Sequence, residues 1–351
     1  MDHPINVLIT GAGAPGGPGI IQALRDHPNL KLLVADTDPL AAGRFLGEPF
    51  VQIPPANDPA FVDTLLNLCI QHQIQVLFPL VTKELIPLAK AKEKFSDQGI
   101  QVIVSDPENL AIANNKALLL QHLQKAEIPV PEFQIVRSVE ELKTACQQLG
   151  YPQKAVVIKP AFANGSRGVR ILDAQKNRFD LLFHEKPSGL YSQLEEILPI
   201  LEGNELPELV VMEFLPGDEY TIDTLVQNRD IKLILPRKRI KMISGISVKG
   251  VFEKNEAIIQ YVRQILSSLE LNGPIGIQIK ADPSGTFKIL EINPRIQGTS
   301  VAALGAGVNL PLLAIQQAMD LPLPKNLEVK WGTGFVRYYK ELFFDFNASQ
   351  Q

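Results

Sequence analysis

The residues best suited to chemistry lie in LEINPR, Leu290 to Arg295. In an extended strand Glu291 and Asn293 project from one face about 7 Å apart, while Leu290 and Ile292 point into a core. A carboxylate and an amide oxygen at that spacing suit Mg²⁺, a hard cation that shares its oxygen ligands with phosphates. Arg295, two residues further on, reaches the same anion, and Pro294 ends the strand. A second stretch, VVIKPAFANGSRGV (156–169), ends an apolar run on Lys159 and continues into a glycine loop holding Gly165, Ser166, Arg167 and Gly168. An ammonium beside backbone that glycine leaves open is chemistry for a phosphate.

Two further patterns extend this set. In MEFLPGDEYTID (212–223), Glu213 closes an apolar run, Pro216-Gly217 turns the chain and Glu219 opens the next strand. Such a connector offers backbone groups to a planar base and a carboxylate to ribose hydroxyls. In PRKRIKM, Arg237, Arg239 and Lys241 recur every second residue. Regular alternation predicts three cations on one strand face, which is unfavourable unless an anion lies among them. ISGISVKG (243–250) follows as a loop ending near Lys249.

A competing pattern opens the chain. In INVLITGAGAPGGPG, Gly11, Gly13 and Gly16 fall at G-x-G-x-x-G spacing, and Asp36 ends the next strand about twenty residues on. That is the written fingerprint of a dinucleotide site, and an NAD-dependent oxidoreductase is the reading it supports. Pro15 and Pro18 weaken it, because each removes an N–H that a pyrophosphate would use.

The elements that position these residues fall into two styles. Up to about residue 105, strand-like runs (VLIT, KLLVAD, VLFPLV, QVIVS) alternate with helical ones, which predicts a parallel sheet covered on both faces. TKELIPLAKAKEKF reads as one helix, and Asn114 to Lys125 as another. Beyond IPVPEF, whose prolines forbid helix, the strands crowd together in the manner of antiparallel sheet. Ser138, with Glu141 three residues later, starts a helix that Gly150 ends. The expected segments are an α/β domain over 1–112, a linking helix and small subdomain over 113–211, an α+β subdomain with the metal residues over 212–325, and an aromatic tail over 326–351.

Composition excludes several classes. With 34 basic and 38 acidic residues the net charge is −4, which offers no case for nucleic acid or an anionic membrane. No apolar run approaches the roughly 20 residues of a membrane helix. The N-terminus lacks the pattern of a signal peptide, so a cytoplasmic location is expected. Cys69 and Cys146 read as reduced core thiols, and the five histidines show no ligand spacing.

Taken in order, Asn115-Lys116, VVIKP, NGSRGV, MEFLPGDEYTID, GIQIK and LEINPR, with GTS at 298–300, resemble the ATP-grasp superfamily. The similarity is to the branch of carbamoyl-phosphate synthetase large-subunit modules, with residues before 113 similar to a pre-ATP-grasp domain. The resemblance implies ATP and Mg²⁺ as cofactors, two metal ions, with Mn²⁺ as a substitute. It implies that Lys116 and Lys159 meet phosphates and that Gly165, Ser166, Arg167 and Gly168 cover them. Glu213, Phe214 and Leu215 would flank adenine, and Glu219 the ribose. Gln278, Glu291 and Asn293 would hold metal, although Gln278 stands where an acid is usual. Arg295, Arg237 and Arg239 would act on the γ-phosphate and an acyl phosphate.

The implied activity is an ATP-dependent carboxylate–amine or –thiol ligase working on small molecules, with a homodimer as the assembly. Two other readings stay beside it and the NAD reading: an enzyme of the same fold that phosphorylates a carboxylate or bicarbonate, and a non-catalytic nucleotide-binding protein. Asp282, in ADPSG, reads as a turn residue. The stretch 176–207 carries no interpretable motif. The aromatics of WGTGFVRYYKELFFDF predict a strand and short helix on the core, or, through Trp331, Arg337 and Tyr339, the border of an acceptor pocket or dimer interface.

Overall fold

The structure, a computed structural model, describes residues 4–346 except 164, 166 and 186–188. The chain begins with a parallel sheet of β1 (Ile5–Thr10), β2 (Leu30–Asp36), β3 (Phe50–Gln52), β4 (Val76–Pro79) and β5 (Gln101–Val102), in the order β3-β2-β1-β4-β5. The apolar runs seen in sequence follow from coverage on both faces. Val7 and Ile9 pack with Ile20, Ile21 and Leu24 of α1 (Gly17–Arg25). Leu8, pointing the other way, packs with Phe61, Leu65 and Cys69 of α2 (Phe61–Gln71). Leu85 and Leu88 of α3 (Thr82–Lys90) and Phe95 of α4 (Lys92–Ser96) complete that face. The single helix expected over TKELIPLAKAKEKF is therefore two.

The helix expected from Asn114 begins two residues later. α5 (Pro107–Asn114) stops, and α6 (Lys116–Lys125) starts afresh with Asn115 as its cap. The Asn115 side chain accepts the N–H groups of Ala117 and Leu118, satisfying donors that no helical carbonyl reaches.

A second sheet comprises β6 (Phe133–Val136), β7 (Val156–Pro160), β8 (Arg170–Leu172), β9 (Tyr191–Ser192) and β10 (Leu209–Glu213), ordered β6-β10-β7-β8-β9. Val156, Ile158 and Val211 pack on Leu142, Ala145 and Cys146 of α7 (Val139–Gln148). Ser138 caps α7 by accepting the Glu141 N–H, while the Glu141 carboxylate accepts the N–H of Arg137. The uninterpreted stretch contains α8 (Arg178–Phe183), which buries none of its residues, and α9 (Leu194–Leu201).

The third sheet holds β11 (Glu219–Gln227), β12 (Asp230–Ile243), β13 (Ile246–Phe252), β14 (Gly273–Ala281), β15 (Phe287–Asn293) and β16 (Gly334–Val336), ordered β15-β14-β11-β12-β13-β16. Two helices follow in this part of the chain. α10 (Glu256–Ser268) buries the stripe Ile258, Val262, Ile265 and Leu266, and α11 (Leu310–Ala318) packs into the core that holds Val7 and Ile9. The aromatic tail supplies β16, an edge strand; no helix is present among its described residues, and Tyr338, Tyr339 and Phe343 are exposed.

The compact units cut across the linear segments. One combines 1–111, 220–277 and 292–351; the other combines 112–219 with 278–291, the tip of the β14–β15 hairpin.

Candidate active site

In the unit of residues 112–219 and 278–291, two lysines that sequence spacing separates by 43 positions lie on one short segment of β15. Lys159, on β7, is only 5% exposed, and its ammonium donates to the Leu290 carbonyl at 2.9 Å. Lys116 is 8% exposed; its ammonium donates to the Ala163 carbonyl at 2.8 Å and lies 3.6 Å from the Glu291 carboxylate. The break at Asn115 is what makes Lys116 the first residue of α6, and its backbone N–H is fixed to the Ala161 carbonyl at 2.8 Å. Two ammonium groups thus share one carboxylate. Burial, and next the Lys116 charge, push the Lys159 ammonium down to about 8 from 10.5, against the pull of Glu291.

The loop after β7 needs its glycines. Gly165 and Gly168 have φ of +66° and +74°, and a Cβ on Gly168 would stand 2.6 Å from Pro160. Gly165 and Arg167 are exposed, and Ser166 lies outside the described residues.

In the same unit, the Glu213 carboxylate is tied within the protein through Oε1, which accepts the Glu132 N–H at 2.9 Å and pairs with Lys288 at 2.7 Å. Phe214 carries the Lys280 ammonium 5.1 Å above its ring, and Leu215 is buried. The Asp282 carboxylate accepts from Ser284 and the Thr286 N–H, and these bonds, the Ser284 hydroxyl first, hold it down at about 2. It is a turn residue, as its place in ADPSG indicates. Glu219, Gln278 and Glu291 are half-buried at strand positions.

The remaining candidates belong to the other unit. Alternation puts Asn293 in phase with Glu291 on β15, two residues before Arg295, whose Nε donates to Thr82 Oγ1 and whose Nη1 donates to the Ile296 carbonyl, both at 2.8 Å. The three-cation face does not form. Arg237 pairs across the sheet with Phe252 and Arg239 with Gly250, but a bulge follows, and Lys241 pairs with Lys249 instead of the residue two along from Gly250. The extra residue turns Lys241 to the opposite face.

Arg237 also departs from expectation. It is 0% exposed, donates to Asp223 at 3.1 Å, and lies 5.8 Å from the Phe252 ring and 5.3 Å from the Phe335 ring, two rings that are themselves 6.3 Å apart. The anion that a cationic row requires is, at this position, a buried carboxylate of the protein. Arg239 is half-buried and donates to Ser247 Oγ at 3.0 Å.

Sequence reading passed over Asp223, Ser300 and Gln297. Asp223 accepts from Ser300 as well as Arg237, and Ser300 accepts the Gln297 N–H at 3.1 Å. The available signal was an acid set between Ile222 and Thr224 in an otherwise apolar strand, a placement that calls for a partner.

The N-terminal loop spends its fingerprint on itself. Asp36 accepts the N–H of Gly13 at 2.8 Å and that of Asp38 at 3.0 Å. A Cβ on Gly16 would stand 2.6 Å from Gly298 Cα, and one on Gly13 would stand 3.0 Å from Ala41 Cβ. The glycines serve close backbone packing, and the acid holds the loop where a dinucleotide site would need it for ribose. At the end of β1, Thr10 donates to Glu84 in the first turn of α3 at 2.5 Å. Glu84 is 4% exposed, and burial above all raises its carboxyl to about 7, against bonds from Thr10 and the Val81 N–H.

Cys69 and Cys146 are buried and free, with thiols that burial pushes up to about 12. Among the described residues no three His, Cys, Asp or Glu side chains gather, and no helix is long and apolar enough to cross a membrane.

Comparison with known proteins divides the chain along its sequence. Residues 7–103 match the PylC-like N-terminal domain, 115–188 the ATP-binding domain of the carbamoyl-phosphate synthase L chain, and 205–338 an ATP-grasp family described as acting in the biosynthetic pathway with the Ter operon. The carbamoyl phosphate synthase large chain of Lachnoclostridium phytofermentans is 26% identical over 259 residues, which are 71% of this chain and 22% of that one. The chain therefore spans less than a quarter of that relative's length. Among solved structures, N5-carboxyaminoimidazole synthetase from Staphylococcus aureus complexed with ADP is similar at 17% identity and a TM-score of 0.70, over 93% of this chain and 80% of that one. L-amino acid ligase from Bacillus licheniformis is similar at 19% identity and a TM-score of 0.65, over 91% and 75%. The strand order, the paired lysines before LEINPR and these matches agree: the chain belongs to the ATP-grasp superfamily, in the branch resembling carbamoyl-phosphate synthase large chains, with a PylC-like domain ahead of the ATP-grasp fold.

Proposed function

We propose that this chain is an ATP-dependent ligase that activates a small carboxylate as its acyl phosphate and passes the acyl group to an amine or thiol, releasing ADP and phosphate. The observation that carries the reading is the pair of buried ammonium groups, Lys116 and Lys159, against Glu291. Two buried cations sharing one carboxylate leave a positive charge that a polyphosphate would neutralise. Lys159 would hold the α- and β-phosphates and Lys116 would add a second contact. The loop at 165–168 would cover them and exclude water. Backbone at 213–215 would meet adenine and Glu219 ribose.

Glu291, Gln278 and Asn293 fit a hard divalent cation, since all three offer oxygen atoms. A single carboxylate among them binds weakly by itself, so the ion is expected to arrive with the nucleotide. When bound, Mg²⁺ supplies charge neutralisation on the transferred phosphoryl group. The second ion, and Mn²⁺ as a substitute, rest on the family resemblance.

In the first step a carboxylate oxygen bonds to the γ-phosphorus as the bond to the bridging oxygen of ADP breaks. In the second the amine nitrogen bonds to the acyl carbon, phosphate leaves with the C–O electron pair, and the amine proton passes to solvent. Arg295 and Arg239 are the side chains we assign to the charge that develops. Arg237, shut inside with Asp223, would act on them from behind.

The test is thermal stabilisation by Mg-ATP, by ATP with chelator, and by NAD⁺ or NADH. A ligand at 100 times its Kd adds about 2.7 kcal/mol. Stabilisation by Mg-ATP that chelator weakens and Lys159→Ala abolishes is the expected result. Stabilisation by NAD alone would overturn the reading.

A further inference from the structure

The edge of the third sheet carries a row of like charge. Lys241 of β12 and Lys249 of β13 are direct cross-strand partners, and Val336 of β16 stands opposite Lys249. Residues directly opposite in antiparallel strands share a face, with Cβ atoms about 5 Å apart, so these three side chains form one row across three strands. Like charges in that relation destabilise a sheet. Both lysines are exposed, and among the described residues neither ammonium has an acid paired with it.

The row lies on the face opposite Arg237. Arg237 pairs with Phe252 and Gly250 with Phe335, whereas Lys249 and Val336 are the next residues along β13 and β16 and point the other way. Apolar side chains border the lysines. Val336 is 70% exposed, and Ile243, two residues along β12 from Lys241, is 47% exposed. β16 is the last strand of its sheet, so nothing in the sheet order lies beyond Val336.

Charge is segregated as well. Residues 238–251 carry four cations and no acid, which leaves the rest of the chain at −8 within a net charge of −4. We propose that this row is a docking surface for an acidic segment of a partner protein, whose carboxylates meet Lys241 and Lys249 and whose apolar side chains meet Val336 and Ile243. Carboxylates between the two lysines turn their repulsion into attraction. A short segment answers only to the row, since screening at physiological salt fades charges beyond about 8 Å. A membrane or a nucleic acid spreads its charge over a wider area and meets the acidic remainder too.

The experiment titrates the full chain with a labelled synthetic peptide of glutamate and leucine, following fluorescence anisotropy at low and high salt. Wild type should bind saturably, and more weakly at high salt. Lys249→Glu sets a carboxylate opposite Lys241, so it should keep or raise the thermal midpoint and leave any Mg-ATP stabilisation as in wild type, yet weaken the peptide at least tenfold. Val336→Ser should weaken it as well. Should Lys249→Glu not fold, Lys241→Gln, which removes one charge and keeps most of the stem, is expected to weaken the peptide severalfold. No saturable binding by wild type, equal affinity in wild type and the lysine variants, or tighter binding to single-stranded DNA or to phosphatidylserine vesicles than to the peptide would overturn the proposal.

Discussion

Nucleotide binding should draw a proton onto Lys159. Its ammonium is buried beside Lys116 and titrates at about 8 where an ordinary lysine titrates at 10.5. A bound triphosphate adds negative charge against both lysines and returns Lys159 to the fully protonated form. Near pH 8 the free protein carries this proton in half its molecules, so binding takes up about half a proton. Near pH 9 about one molecule in ten is competent, and the apparent Kd rises about tenfold, or about 1.4 kcal/mol. Without nucleotide the sign is opposite in effect: the unfolded chain binds more protons between about 8 and 10.5, so folding stability rises with pH across that window, by an amount of order 3 kcal/mol. The assay is calorimetry of Mg-ATP binding in buffers of different ionisation enthalpy, with Lys159→Met as control. Zero uptake near pH 8, or the same uptake in Lys159→Met, would refute the argument that burial beside Lys116 sets this site.

Two further perturbations test the N-terminal half. Glu84 is held at about 7 against an ordinary 4.5, so the native state binds more protons between those values and stability falls as pH rises through them. Glu84→Gln should remove that fall, about 3 kcal/mol, in denaturation curves across the range; parallel curves for variant and wild type would count against it. Gly16→Val forces a side chain to within 2.6 Å of Gly298 Cα and should cost about 1–3 kcal/mol in urea unfolding. A stable variant that lost only ligand binding would show the loop to be a nucleotide site after all.

Much of the candidate site was legible because its residues sit at fixed phase on single strands. Glu291 and Asn293 share a face whatever else the chain does, and Lys159 ends its apolar run in any fold that buries Val156 and Ile158. The change from α/β to α+β could be read too, since two-sided burial demands continuous apolar runs and antiparallel sheet admits polar positions. Phase failed at Lys241, because a bulge is a property of two strands together and leaves no mark in one. The GAGAPG loop is ambiguous for a related reason: glycine spacing records that something approaches closely, and Gly298 and Ala41 are what approach here.

The amino-acid sequence by itself determined which residues could bear charge, which faces were apolar and where strand and helix alternate, all local in chain distance. Tertiary structure alone decided which charges meet. It seated Lys116 against Glu291, 175 positions away, and closed Arg237 over Asp223 behind a strand from the tail. The physical reason is that a charge's protonation and reach depend on the solvent removed from it and the charges brought near, and packing of distant segments sets both.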